Sequence, residues 1–460
     1  MAQYELDRRK FIQKMIALGI TLSGAESLFA LAAVAEPTKT RRGPRFSQDS
    51  RIAIVGAGAS GISASHFLRE KGYQSVTLFE ATDHIGGKCN TVDIDGKAYD
   101  MGAVFTTSSY DEVMALAQKF DVPIIPLQSK TERNIVENKS GRARGRTVIE
   151  TAAMGAAVAD YFRALSVYPE LAKAGFANLN RDLCASLSDW MKLHCLFPAA
   201  LDEFFGYTFT PFGYGFSDEV PAAYALKYYE ERLVSSLLYG DYLGMLKNGY
   251  QSLWKAVAKD MEVKLSTPVL KVKRFGQQVQ IDTHESSSIF DHLILTCLPE
   301  DSLRFLDTTT DEQIDFQKTK RYFYHSIAVE IPARFSGSGF LPGNYYRSRS
   351  PHPLCWFKRW HDGNIAIFYA LSKTELSEEA VIHTLMFDSE QYGWNLGKVR
   401  ASRKWKYFPH FESKELTDGI YDRLENRQGQ NNTYLAGEIM NFSTVEMVTR
   451  YSKSLVQRFF

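Results

Sequence analysis

The sequence predicts a two-domain α/β protein, and three observations carry that prediction. Arg51 to Glu80 reads as strand, glycine turn, helix, strand, acid. Val148 to about Leu246 is mainly helical in pattern, and β-rich runs return around 262–298 and 433–438. A chain of 460 residues is also long enough for two or more domains and a sizeable core.

The first segment has a definite chemistry. Ile52-Ala53-Ile54-Val55 is a short apolar run suited to a buried parallel strand. In the turn that follows, Gly56 permits the sharp exit from the strand. Gly58 lets a pyrophosphate approach the backbone, and Gly61 lets the next helix pack closely. Residues 62–71 read as that helix, with Gly72 ending it. Its N-terminus, at Ala59 and Ser60, offers unpaired N–H groups and partial positive charge to phosphates. Glu80 ends the second strand, where a carboxylate accepts hydrogen bonds from a ribose 2′-OH and repels a 2′-phosphate. A lone GxGxxG is equally a glycine turn between core strands. The flanking strand, helix and acid favour a dinucleotide site.

Ala81, Ile85-Gly86-Gly87-Lys88 and Tyr99-Asp100-Met101-Gly102-Ala103-Val104 come next. Here the chain resembles the flavin amine oxidase superfamily, which includes phytoene-type desaturases and polyenoic fatty acid isomerases. The resemblance implies a discontinuous Rossmann-like FAD-binding domain with a mixed sheet and a helical substrate or cap domain. It assigns 51–105, 246–300 and 401–460 to the FAD domain, and 106–245 and 301–400 to the substrate domain. It also implies that Gly87 and Lys88, and then Gly102, Ala103 and Val104, lie on FAD, with Lys88 standing where Arg is commoner.

The resemblance continues downstream. Lys247 to Leu253 is similar to the family's Gly-Gly-Met turn, with Asn248 replacing the first Gly, and Val263 matches a valine beside the adenine. Gly437-Glu438 matches a turn contacting the ribityl-phosphate region. The helix starting near Val445 would aim its N–H groups at the flavin pyrimidine. The family's Gly-Ala and Ser-Gly pairs are absent from that helix, where Val448 and Tyr451-Ser452 stand nearby. With no Cys after Cys355, FAD is expected to be noncovalent. Trp405 and Lys88 are the candidates for proximity to the reactive ring, though core packing and a phosphate contact explain them as well. The lysine that family amine oxidases place near flavin N5 has no clear counterpart among Lys318, Lys320 and Lys358. Acid–base residues are unassigned.

The N-terminus reads as an export signal. Asp7-Arg8-Arg9-Lys10-Phe11-Ile12 is close to the twin-arginine pattern, an apolar region runs from Met15 to Ala33, and Ala33-Val34-Ala35 is a small-x-small cleavage site. Glu26 within the apolar run disfavours a membrane anchor. The expectation is a signal at 1–35, a solvated linker at 36–50, engagement of the twin-arginine export machinery, and a periplasmic or secreted protein exported folded.

Composition excludes other classes. Net charge of +1 gives no footing for nucleic acid. The five cysteines are widely spaced, without C-x-x-C, and predict neither a disulfide framework nor a metal site. Aromatics make up 13% of residues, which suits large cores or an aromatic-lined cavity. Asp111 onward reads as a capped helix, residues 128–146 as a solvated basic hairpin, and 271–281 as a hairpin about Gly276. Phe204, Phe205, Tyr207, Phe209 and Phe212 are candidates for either a pocket or cap packing.

Three functions fit. The leading one is hydride transfer from the carbon of an amine or other small reduced compound to flavin N5. The alternatives are a redox-neutral double-bond isomerase or desaturase acting on a lipid-like substrate, and a flavin-holding scaffold without turnover.

Overall fold

Ile52–Val55 is the centre of the molecule, and none of its four side chains reaches solvent appreciably. In the computed structural model of the chain, residues 46–127, 133–136, 142–145, 148–239, 243–335 and 337–460 are described. The central strand pairs in parallel with Val76–Phe79 on one side and His292–Leu295 on the other. Glu262–Lys264 and Thr433–Leu435 complete a five-stranded parallel sheet. A strand buried on both faces must be apolar throughout, which is why Ile-Ala-Ile-Val and His-Leu-Ile-Leu show no alternation.

Two helices cross beside this sheet, Ala59–Glu70 and the C-terminal Val445–Phe459. Small hydroxyl residues let them approach. Ser60 Oγ lies 2.9 Å from Ser452 Oγ, and Ser63 Oγ lies 3.2 Å from Thr449 Oγ1. Ser452 thus has a packing role against the first helix. The hairpin Lys271–Phe275/Gln278–Asp282 forms as expected about Gly276 and gains a third strand, Ser287–Phe290.

The second region is built on a seven-stranded sheet. Its order is Val399–His410, Lys320–Glu330, Ile365–Ser372, Pro353–Phe357, Ser338–Phe340, Arg133–Val136, Ala143–Arg144. One face packs on the helix Glu378–Gln391 through Ile327, Val329, Phe368, Val381 and Leu385. The other faces helices from 148–239. The expected basic hairpin does pair, 133–136 against 143–144, but it is not simply solvated. Its first strand joins the sheet edge and buries Ile135 and Val136. Residues 128–132, 137–141 and 146–147 lie outside the described residues, as do the expected signal at 1–35 and linker residues 36–45. Phe46 packs its ring 4.2 Å from that of His292. Among the described residues, no helix is long and apolar enough to cross a membrane.

Candidate cofactor and substrate site

The glycine turn is a place of enforced backbone proximity. Gly56 has φ of +104°, and a Cβ there would sit 2.6 Å from Thr296 Oγ1. A Cβ on Gly61 would run into the Gly56 carbonyl, and one on Gly102 into the Lys88 carbonyl. Gly58 bridges to Gly86, and a Cβ on Gly87 would lie 3.2 Å from the Gly58 Cα. At Gly61 and Gly102 only glycine satisfies such contacts without displacing backbone. The helix Ala59–Glu70 starts at Gly58 with no side chain capping it, so Ala59 and its neighbours present free amide donors and the positive end of the helix dipole.

Glu80 stands at the edge of that turn. Its Oε2 accepts from the Ala57 N–H at 2.9 Å, and its Oε1 accepts from Thr82 N–H and Oγ1 at 2.9 and 2.8 Å. Ala81, beside it, is exposed. Val263 pairs with Leu78 on the outermost strand, next to the same strand end. An uncapped helix N-terminus, glycine walls and an anchored carboxylate together fit the phosphates and ribose of a dinucleotide.

The distant motifs converge on this cradle. Lys88 Nζ donates to Glu438 Oε1 at 2.7 Å, and Ser443 Oγ donates to Glu438 Oε2 at 3.2 Å. Gly437 has φ of +88°, and its N–H donates to Ser60 Oγ at 2.9 Å. The Ser60 side chain therefore braces two segments of protein. Ala103 N–H donates to Lys88 O at 3.1 Å, locking the two expected flavin turns together. Trp405 does not line the cavity described next. Its indole N–H donates to Met101 O at 2.7 Å and holds that turn from behind.

A cavity opens beside Gly102, Ala103 and Val104. Thr444 and Val445, at the N-terminus of the last helix, close one end, and Thr444 Oγ1 accepts from Met447 N–H at 3.1 Å as the helix cap. Among the described residues that line it, none is Lys, Arg, His, Asp or Glu. Its polar lining is dominated by Tyr110, Tyr214, Tyr228, Tyr324, Tyr369 and Tyr407. Tyr369, Tyr324, Tyr407 and Tyr214 stack in sequence, with centroids 5.5, 5.1 and 5.8 Å apart. Burial raises the phenols of all six, so they remain neutral. Cys355 also lines the cavity, and burial raises its thiol too.

Two open alternatives are decided here and one expectation is corrected. Of the five cap aromatics, Phe212 alone lines the cavity, while Phe204, Phe205, Tyr207 and Phe209 are packed in the cap. The Phe205 ring, for example, stacks 4.2 Å from Tyr229. None of the three lysines reaches the cavity: Lys318 pairs with Asp315, Lys320 is exposed, and Lys358 donates to Phe335 O. The expected side-chain cap on the helix Asp111–Lys119 is absent. The carboxylate of Glu446 serves instead, accepting from Glu112 and Val113 N–H at 3.1 and 2.9 Å. Sequence reasoning missed the tyrosines at 324, 369 and 407. Their strands alternate weakly because both sheet faces are buried, and only pairing reveals the common face.

Comparison with known proteins agrees with this geometry. The family profile described as flavin containing amine oxidoreductase matches residues 59–315, over half the chain. A crystal structure of a CLA-producing fatty acid isomerase from P. acnes superposes with a TM-score of 0.84 at 30% identity, covering 90% of this chain and 100% of that one. Putrescine oxidase bound to putrescine superposes at 0.67 with 18% identity, covering 89% and 98%. A pseudooxynicotine dehydrogenase of Pseudomonas sp is 25% identical over 296 residues, 61% of this chain and 59% of that protein. The chain therefore belongs to the flavin-containing amine oxidoreductase family, and its cofactor is FAD.

Proposed function

We propose that this protein is an FAD-dependent double-bond isomerase acting on an apolar unsaturated acyl chain. The observation that carries the reading is the cavity, whose described lining bears no charged side chain and is rich in neutral tyrosines. A flat, apolar polyene gains contact area and aromatic stacking there. A cationic amine would enter without a carboxylate to meet it, at a substantial desolvation cost. The likeness to a fatty acid isomerase along its whole length supports the same choice.

The residues proposed to hold FAD are Gly56, Gly58, Ala59, Ser60, Gly61, Glu80, Ala81, Gly87, Lys88, Gly102, Ala103, Val104, Val263, Gly437, Glu438 and Val445. Binding is proposed to be noncovalent. Bound FAD supplies a centre that takes a hydride from carbon and gives it back, so the net reaction is redox-neutral. The protein does the rest. Its glycine turns and helix N-terminus bind the phosphates, Val445 presents amide donors and a helix dipole at the cavity end, and the tyrosine wall orients the chain and excludes water.

Oxidation of an amine or other small reduced compound is the second reading, supported by the likeness to pseudooxynicotine dehydrogenase. Peroxide release separates the two. Purified FAD-loaded protein given a polyunsaturated fatty acid under air is expected to produce a conjugated diene without peroxide. Peroxide with an amine, and no diene with any fatty acid, would overturn the isomerase reading. The twin-arginine signal and the exported location belong to this proposal as well, and an N-terminal sequence of the exported protein tests them.

A further inference from the structure

Asp100 ends the strand Lys97–Asp100 immediately before Met101-Gly102-Ala103-Val104, and the last three of those line the cavity. Its side chain is 0% exposed, and that of its ion-pair partner Arg359 is 1% exposed. A buried ion pair is weak evidence for stability, because apolar residues of the same volume often serve as well. Its geometry is more telling. Asp100 Oδ1 accepts from Thr91 Oγ1 and from the Tyr250 N–H, each at 2.7 Å. Asp100 Oδ2 accepts from Arg359 Nη1. Arg359 Nη2 donates to Leu246 O at 2.5 Å. The guanidinium also lies over the Trp360 ring, 5.2 Å from its centroid.

One planar fork thus joins three pieces of chain: the turn that borders the cavity, the 246–250 segment that starts the helix Tyr250–Val257, and the end of the substrate sheet. Arg359 lies two residues beyond Phe357, which forms cavity wall. The carbonyl of the next residue, Met101, accepts from Ser326 Oγ at 2.6 Å and Trp405 Nε1 at 2.7 Å. Those donors come from two other strands of the same sheet, Lys320–Glu330 and Val399–His410. Substrate-side donors therefore converge on two adjacent residues of the cofactor-side turn. Burial raises the Asp100 carboxyl, and the Arg359 charge is the foremost force opposing that rise.

We propose that Arg359 is a positioning residue. Its fork fixes the substrate sheet against the Asp100–Val104 turn and so sets where the cavity meets the reactive face of the cofactor. The proposal rests on the isomerase reading only for its turnover readout.

The test uses FAD-loaded Arg359→Met, Arg359→Lys and the double variant Asp100→Asn/Arg359→Met. Arg359→Met is expected to lower kcat for diene formation about tenfold or more with KM nearly unchanged, and to alter the visible circular dichroism of the flavin. Arg359→Lys keeps the charge but loses the fork. It is expected to recover thermal stability without recovering kcat or the flavin spectrum. Should Arg359→Met fail to fold, the double variant, which buries no lone charge, takes its place. Wild-type kcat and flavin circular dichroism in a folded Lys or double variant would overturn the proposal, as would full recovery of kcat on adding excess FAD. If the wild type isomerises no fatty acid, the circular dichroism still decides. A changed signal supports the clamp and assigns the failure to the substrate reading, and an unchanged one overturns it.

Discussion

The two halves of the site are made by different means. The cofactor cradle is made of backbone. Gly56, Gly58, Gly61, Gly87 and Gly102 bring main chain to within contact of main chain, and the donors beside them are amides at an uncapped helix end. The substrate cavity is made of side chains, six tyrosines among them, on a sheet whose backbone would hold almost any set. Backbone chemistry fixes what is bound on the first side. On the second, specificity is free to change while the fold stays the same, as the superposition on both a fatty acid isomerase and a putrescine oxidase illustrates.

That contrast predicts different fragility. The largest effect belongs to the cradle: Gly61→Val drives a side chain into the Gly56 carbonyl and is expected to abolish FAD binding, read as loss of flavin absorbance from purified, folded protein. On the substrate side, Tyr324→Glu puts a charge into the neutral wall. It is expected to leave the flavin bound and raise KM for an unsaturated acid about tenfold or more. Flavin loss from that variant would blur the division between the halves.

Next come effects on stability. Lys227 is buried in the cap and its Nζ donates to the carbonyls of Leu171, Lys173 and Gly175 at 3.2, 2.6 and 2.7 Å. Burial lowers its ammonium to about 7, against the pull of the Glu230 carboxylate. Lys227→Met strands the carbonyls and is expected to cost about 3 kcal/mol in denaturant unfolding, with the FAD cradle intact.

Acid should also strike the substrate side first. Burial lowers His325 and His410 to about 4 from the ordinary 6.5. The unfolded chain takes up these protons before the folded one does, so the stability is present above pH 6.5 and is lost as pH falls toward 4. Each histidine contributes up to about 3 kcal/mol to that loss. His410→Phe is expected to flatten the fall in melting temperature across this window. The smallest effect is Thr444→Ala, which removes the cap of the last helix and is expected to cost about 1 kcal/mol.

The same contrast decides what the sequence revealed. Local backbone demands leave local signatures, so the strand–turn–helix–strand unit ending at Glu80 was legible from spacing alone. The strand at 292–295 was also readable, because burial on both faces leaves it the apolar run Leu-Ile-Leu, whereas the edge strands 262–264, reading Glu-Val-Lys, and 433–435, reading Thr-Tyr-Leu, were located by the resemblance. The cavity was not readable. Tyr324, Tyr369 and Tyr407 come from three strands, and only antiparallel pairing of Lys320–Glu330 with both neighbours brings them to one face. Arg359 gave no signal either, since its partner lies 259 residues away. The cap aromatics show the limit from the other direction. Phe204 and Phe205 have the composition of a pocket wall, and packing inside the cap uses them instead.

An anaerobic flavin absorbance titration tests the central claim most directly. Purified protein is loaded with FAD and given linoleic acid in one cuvette and putrescine in another. The account predicts that linoleic acid perturbs the flavin bands without lasting bleaching while conjugated-diene absorbance grows, and that putrescine leaves the spectrum unchanged. Bleaching of the flavin by putrescine, with no diene from linoleic acid, would contradict it.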